Sequence, residues 1–123
     1  QRVAARYDFI VAEGSGGIVC PLRLEGDQLM LVDVVRALGY PAVVISPAGL
    51  GAINASVLTA HYARAQGLRV LGAVLNGFEP GNLMHEDNAR AIERLAALPI
   101  LTRVEREAKS MALDDFFKHS ENF

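Results

Sequence analysis

Apolar residues fall in short blocks separated by glycine, proline and polar clusters, and the blocks differ in kind. The run Phe9-Ile10-Val11-Ala12 ends on Glu13 and breaks into Gly14-Ser15-Gly16-Gly17, which predicts a buried strand carrying a carboxylate and a phosphate-sized loop to one edge of a sheet. Residues 1–8 ahead of it are mixed in polarity, carry no helix cap and read as a lead-in cut from something upstream. Ile18 to Leu22 predicts a short extended piece, and Gly26-Asp27 a turn. From Asp27, a candidate cap, Leu31, Val34, Val35 and Leu38 recur at helical spacing, with Gly39 where a left-handed C-terminal residue is wanted.

Pro41 to Ser46 is a β-branched run without alternation, the pattern of a strand covered on both faces. Pro47-Ala48-Gly49-Leu50-Gly51 crosses into a helix that starts around 52–54 and runs to Gln66, with Gly67 as its stop. A further buried strand lies within 68–76, ending on Asn76, and 77–82 is loop. The next helix covers 85–97, with Ala89, Ile92, Leu95 and Ala96 inward and Glu86 paired with Arg90. Pro99-Ile100-Leu101 opens a last short strand; Arg103, Glu105, Arg106, Glu107 and Lys109 form a charged connection, and a final helix spans 111–119. Strands alternating with helices predict an α/β fold, a doubly wound, mostly parallel sheet in one domain over 1–123.

Composition narrows the partners. A formal charge of −2 with acids and bases interspersed leaves no basic stripe for nucleic acid, so small molecules fit better. Apolar residues make up 51% of the chain, yet no run approaches the roughly 18 residues that span a bilayer. A soluble protein with no membrane partner is expected. Cys20 is the one cysteine, which excludes an internal disulfide and agrees with a reducing cytoplasm; as a small apolar residue it is expected to be packed.

In an open α/β sheet, ligands bind outside the carboxyl ends of the strands. Those ends carry Glu13, the 14–17 loop, the Gly49-to-Asn54 junction and Asn76. Glu13 reads as a holder of magnesium or of a positioned water, or as a surface acid. The first helical turn after Gly49 exposes N–H groups suited to a carboxylate or phosphate, or simply turns a corner. Asn76 either caps its loop or offers a donor and an acceptor to a purine edge. His61 and His85 lack partners at metal-binding spacing and read as structural or solvated, and His119 is uninformative. Ser15 lies in Glu13-Gly14-Ser15-Gly16-Gly17, not in a G-x-S-x-G elbow, so covalent serine chemistry is not expected.

Taken in order, these segments resemble dethiobiotin synthetase, an ATP-dependent enzyme of biotin synthesis with a P-loop NTPase fold. Glu13-Gly14-Ser15-Gly16-Gly17 is similar to that family's E-G-A-G-G, and Leu31-Val32-Asp33-Val34-Val35 with Leu38-Gly39 to its next helix. Leu50-Gly51-Ala52-Ile53-Asn54 is similar to its L-G-x-I-N, Asn76 to its strand-ending asparagine, and Pro80-Gly81 to the following loop. The resemblance covers most of the chain to about Leu101 and implies ATP-dependent ring closure of 7,8-diaminononanoate with carbon dioxide through a phosphorylated carbamate. It implies that Glu13 binds Mg2+, that Glu13, Gly14, Ser15 and Gly16 line the nucleotide site, and that Asn76 and Gly77 meet the adenine. It further implies that Gly51, Ala52, Ile53 and Asn54 receive the substrate carboxylate, across a homodimer interface.

No G-x-x-x-x-G-K-[ST] loop occurs in the chain, nor the upstream lysine and aspartate of the family. Phosphoryl transfer needs positive charge on the transferring group, so these residues alone are not expected to catalyse it. The resemblance is therefore to a C-terminal portion that requires a P-loop-bearing portion, upstream or in another chain. A non-catalytic nucleotide- or metabolite-binding regulatory domain of the same fold is the alternative, and an amide-forming synthetase of cobyrinate type fits L-G-x-I-N less well. Thr102-Arg103-Val104-Glu105 stands where the family often has a proline, which alters the far side of the adenine pocket.

Overall fold

The computed structural model describes residues 3, 5–14 and 16–111. Its order is β1 (Pro21–Arg23), β2 (Leu29–Met30), α1 (Leu31–Leu38), β3 (Ala42–Pro47), α2 (Ala52–Ala65), β4 (Val70–Phe78), α3 (Leu83–Ala96) and β5 (Ile100–Glu105). The strands β3, β4 and β5 form a parallel three-stranded sheet in that order, and β1 and β2 a small antiparallel pair. This is the expected α/β fold with a parallel sheet.

The central strand β4 explains the architecture. Ala73, Val74 and Leu75 are buried and paired on both sides, with Val74 opposite Ile45 and Thr102. Gly72 is required there for space: a Cβ would lie 2.5 Å from the Pro99 carbonyl oxygen and 2.6 Å from Leu101 Cγ. Helices α2 and α3 pack side by side on one sheet face, as crossovers advancing in the same direction demand. The α2 face is built from small residues, Ala52, Ser56 and Ala60, which let the helix approach the strands closely; Leu75, Ile92 and Leu98 fill the remaining space. A second cluster joins Val32 of α1 to Ala63 and Leu68.

Several boundaries differ from expectation. Residues 9–12 form no strand: Phe9 is 69% and Val11 81% exposed, because no strand among the described residues pairs with this run. A parallel strand is stable only with its backbone groups bonded to neighbours and both faces covered. Helix α1 begins at Leu31, not at Asp27, because the Asp33 carboxylate accepts the Met30 N–H at 2.9 Å and fixes the start there. It ends on Gly39 in the left-handed conformation, as expected.

Strand β4 continues through Gly77 and Phe78, which the sequence placed in a loop, with an irregularity in register past Asn76. Strand β5 extends through Arg103 and Glu105, for which the charge pattern predicts a connection. In α3, Leu95 points outward at 60% exposure, and Arg90 pairs with Asp87 at 2.9 Å instead of with Glu86. Cys20 is partly exposed rather than fully packed. The helix expected over 111–119 lies outside the described residues except for Met111.

Candidate nucleotide and substrate site

Strands β3 and β4 end together. Pro47 stands opposite Asn76, and the Ala48 N–H donates to the Asn76 carbonyl at 3.0 Å, tying the β3–α2 crossing to the strand end beside it. Asn76 is exposed there, and Gly77 follows with φ of 70°. The crossing turns into α2 through Gly51, whose φ of 85° is the left-handed region that a side chain resists.

No side chain caps α2 at Gly51. The Ala52 N–H reaches the Gly49 carbonyl at 3.2 Å, and the Ala55 N–H the Gly51 carbonyl at 3.0 Å. Among the described residues, the N–H groups of Ile53 and Asn54 have no backbone partner, as at any uncapped first turn, and carry the positive end of the helix dipole. Ala52 is buried, Ile53 partly buried and Asn54 exposed at this edge. The arrangement is suited to a carboxylate or phosphate oxygen.

The second expected segment sits elsewhere. Glu13, Gly14 and Gly16 are exposed, and Ser15 lies outside the described residues. The nearest groups a Gly14 Cβ would meet belong to Leu31, the first residue of α1, at 3.0 Å. Among the described residues no hydrogen bond or strand pairing joins Glu13 or Gly14 to Gly51 or Asn76. No group of three or more His, Cys, Asp or Glu side chains gathers among them either.

Three polar features lie behind the strand ends, and two of them, the Ser46–Ser56 pair and Asn88, escaped the sequence reading. The Ser56 hydroxyl donates to Ser46 Oγ at 2.6 Å, both residues buried, pinning α2 onto the end of β3. His85, also buried, accepts the Glu79 N–H on Nδ1 at 3.1 Å and lies 5.9 Å from the Phe78 ring. Its role is structural, one of the two readings the sequence allowed. Asn88 donates to the carbonyls of Ala48 and Gly49 at 2.8 and 2.9 Å. The available signal was periodicity: His85, Asn88, Ala89, Ile92 and Ala96 share one helical stripe, so two polar residues fall on the buried face. On the far side of β4, the Arg103 guanidinium lies 5.3 Å from the Phe78 ring centroid, where the resemblance led one to expect proline.

A parallel α/β sheet with polar and glycine-rich segments at the carboxyl ends of its strands belongs to the class of open α/β folds that bind ligands at that edge. The model of an AAA domain matches residues 1–113, and the chain belongs to that family. The chain is also similar to ATP-dependent dethiobiotin synthetase BioD of Brachyspira hyodysenteriae, 41% identical over 102 residues, 82% of this chain and 46% of that protein. The corresponding protein of Clostridium perfringens is 42% identical over 104 residues, 85% of this chain and 46% of its own length. That of a Clostridium botulinum strain is 40% identical over 96 residues, 78% and 42% respectively. The chain thus spans about half the length of the curated relatives it matches. Among the described residues no helix is long and apolar enough to cross a membrane.

Proposed function

We propose that this chain is the C-terminal portion of an ATP-dependent dethiobiotin synthetase. The observation that carries the reading is the junction at one sheet edge of Asn76 with the uncapped start of α2, joined through the Ala48–Asn76 hydrogen bond, in a chain 41% identical to such an enzyme. In the proposed reaction a carbamate formed from carbon dioxide and 7,8-diaminononanoate is phosphorylated by ATP, and the second amine closes the ring. The first turn of α2, from Gly51 to Asn54, holds the substrate carboxylate by its N–H groups, and Asn76 with Gly77 meets the adenine. Glu13, Gly14, Ser15 and Gly16 line the phosphate side.

Magnesium is commonly bound through one or two carboxylates plus phosphate oxygens, so the exposed, singly placed Glu13 suits such a site. With ATP present it would hold the ion, which neutralises phosphate charge. The P-loop comes from the portion of the enzyme outside this chain, and the outer edge of β3, where Ile45 is 65% exposed, is where a strand of that portion pairs. The lack of a G-K-[ST] loop in these 123 residues also favours a second reading, a nucleotide- or metabolite-binding regulatory domain. A P-loop in the natural polypeptide upstream of Gln1 separates the two.

The substrate assignment is tested by Asn54→Leu in the full-length protein. The apolar branch crowds the first turn of α2, and a rise of about 10-fold or more in KM for diaminononanoate is expected, with KM for ATP little changed. Unchanged KM and turnover would show that the carboxylate binds elsewhere.

A further inference from the structure

Asn88 sits on the buried stripe of α3, and no part of the proposed reaction employs it. Its Nδ2 carries two N–H donors, and both are spent on consecutive carbonyls, Ala48 at 2.8 Å and Gly49 at 2.9 Å. The described peptide bonds are all trans, so each N–H points opposite to the carbonyl of its own peptide unit. Drawing the Ala48 and Gly49 carbonyls toward α3 therefore turns the N–H groups of Gly49 and Leu50 away from it. Among the described residues neither of these N–H groups has a hydrogen-bond acceptor. Two adjacent N–H groups facing one way form a concavity suited to an anionic oxygen.

The same amide connects both halves of the candidate site. Ala48 is held on its N–H side by the Asn76 carbonyl and on its carbonyl side by Asn88, while the Gly49 carbonyl is shared between Asn88 and the Ala52 N–H that opens α2. His85 backs the loop from the same helix: a Cβ on Gly49 would lie 3.6 Å from its Nε2. We infer that Asn88 is a positioning residue, whose forked amide aims the N–H groups of the β3–α2 crossing at the substrate carboxylate. This rests on the function proposed above, and it adds a residue that touches no substrate.

Asn88→Asp in the full-length protein keeps the size and replaces two donors by an acceptor facing two carbonyls. KM for diaminononanoate is expected to rise roughly 10-fold or more, while KM for ATP stays within about 2-fold. Amide hydrogen exchange should quicken at Ala48 and Ala52, whose N–H groups are hydrogen-bonded at either end of the crossing, and stay unchanged at 60–65, which a general loosening of the core would not produce. Asn88→Ser, which retains one donor, should fall between the two proteins, and it carries the test if the aspartate variant does not fold. An equal rise in both KM values, or unaltered exchange at Ala48 and Ala52 with unaltered KM, would overturn the inference. The two ideas fail separately: if Asn54→Leu leaves KM for diaminononanoate unchanged, the carboxylate site is wrong, while the exchange pattern of Asn88→Asp still decides whether Asn88 orients the crossing.

Discussion

Residues 9–12 and 70–75 are both short apolar runs next to glycine, and they meet opposite fates. In β4, Val74 is 5% exposed and Leu75 fully buried, with strands on either side and two helices on one face. In the earlier run Phe9, Val11 and Ala12 are exposed, Ile10 is partly buried and no ladder forms. The compositions are close enough that intrinsic preference does not explain the contrast. What differs is the supply of neighbours: a parallel strand takes its hydrogen bonds from segments distant in sequence, and no strand among the described residues pairs with 9–12.

The largest expected effect tests that account directly. In the proposed full-length enzyme the 9–12 run pairs as a sheet strand, and its amides should exchange about 10³-fold more slowly than in the isolated 123-residue chain. Amides of Ala73 to Leu75 should be protected in both. Rapid exchange of 9–12 in the full-length protein would break the comparison and would mean that the run belongs to the surface in every context.

Glycines sharpen the same contrast at lower energy. Gly72 lies against the Pro99 carbonyl, and Gly17 has nothing within 4 Å of where its Cβ would be. Gly72→Val should destabilise the full-length protein by about 3 kcal/mol through overpacking against backbone that has no room to move. Gly17→Ala should fall within about 0.5 kcal/mol of zero by chemical denaturation, since it adds a methyl group to open space. Similar losses at the two positions would place the 14–17 loop in the packed interior.

Legibility in the sequence divides along the same line. The main core draws only on elements encoded between Ala42 and Leu101, so apolar runs and helical periods located β3, α2, β4 and α3 within a few residues. The run ending at Glu13 has the same local appearance but depends on a partner that local pattern does not report. Boundary errors have local causes: Asp33 outcompeted Asp27 as the cap of α1 by bonding the Met30 N–H, and Leu95 lies off the stripe set by Ala89, Ile92 and Ala96. For the candidate site, the sequence placed the 49–54 junction and Asn76 at the carboxyl edge, where the structure has them, and Glu13 and Gly14 at the same edge, where no hydrogen bond or strand pairing among the described residues joins them to it. It did not identify the amide and the hydroxyl pair behind them, because a buried polar residue announces itself only when its partner, 40 residues away for Asn88 and 10 for Ser56, is known.

Helix starts provide the smallest and most discriminating effect. Both α1 and α3 are started by a side chain that satisfies an otherwise unpaired N–H: Asp33 takes that of Met30 at 2.9 Å, and Asn82 that of Met84 at 3.1 Å. Helix α3 belongs to the main core through Ala89 and Ile92, whereas α1 reaches the rest of the molecule through Val32 against Ala63 and Leu68 and through exposed hydrogen bonds from Arg36 to the carbonyl and side-chain oxygens of Gln66 at 3.1 and 2.7 Å. Asn82→Ala should therefore cost about 1 kcal/mol in the global unfolding transition of the full-length protein. Asp33→Ala, which also removes the exposed ion pair to Arg36 at 3.1 Å, should cost about 0.5 kcal/mol. If α1 unfolds with the sheet, that loss appears in the same transition as the Asn82 effect. If it appears only as faster exchange within Leu31–Leu38, with the global midpoint unmoved, then the small Val32 cluster is too weak to make α1 part of the cooperative unit, and the boundary between the two regions falls after Gly39 instead of before Leu31.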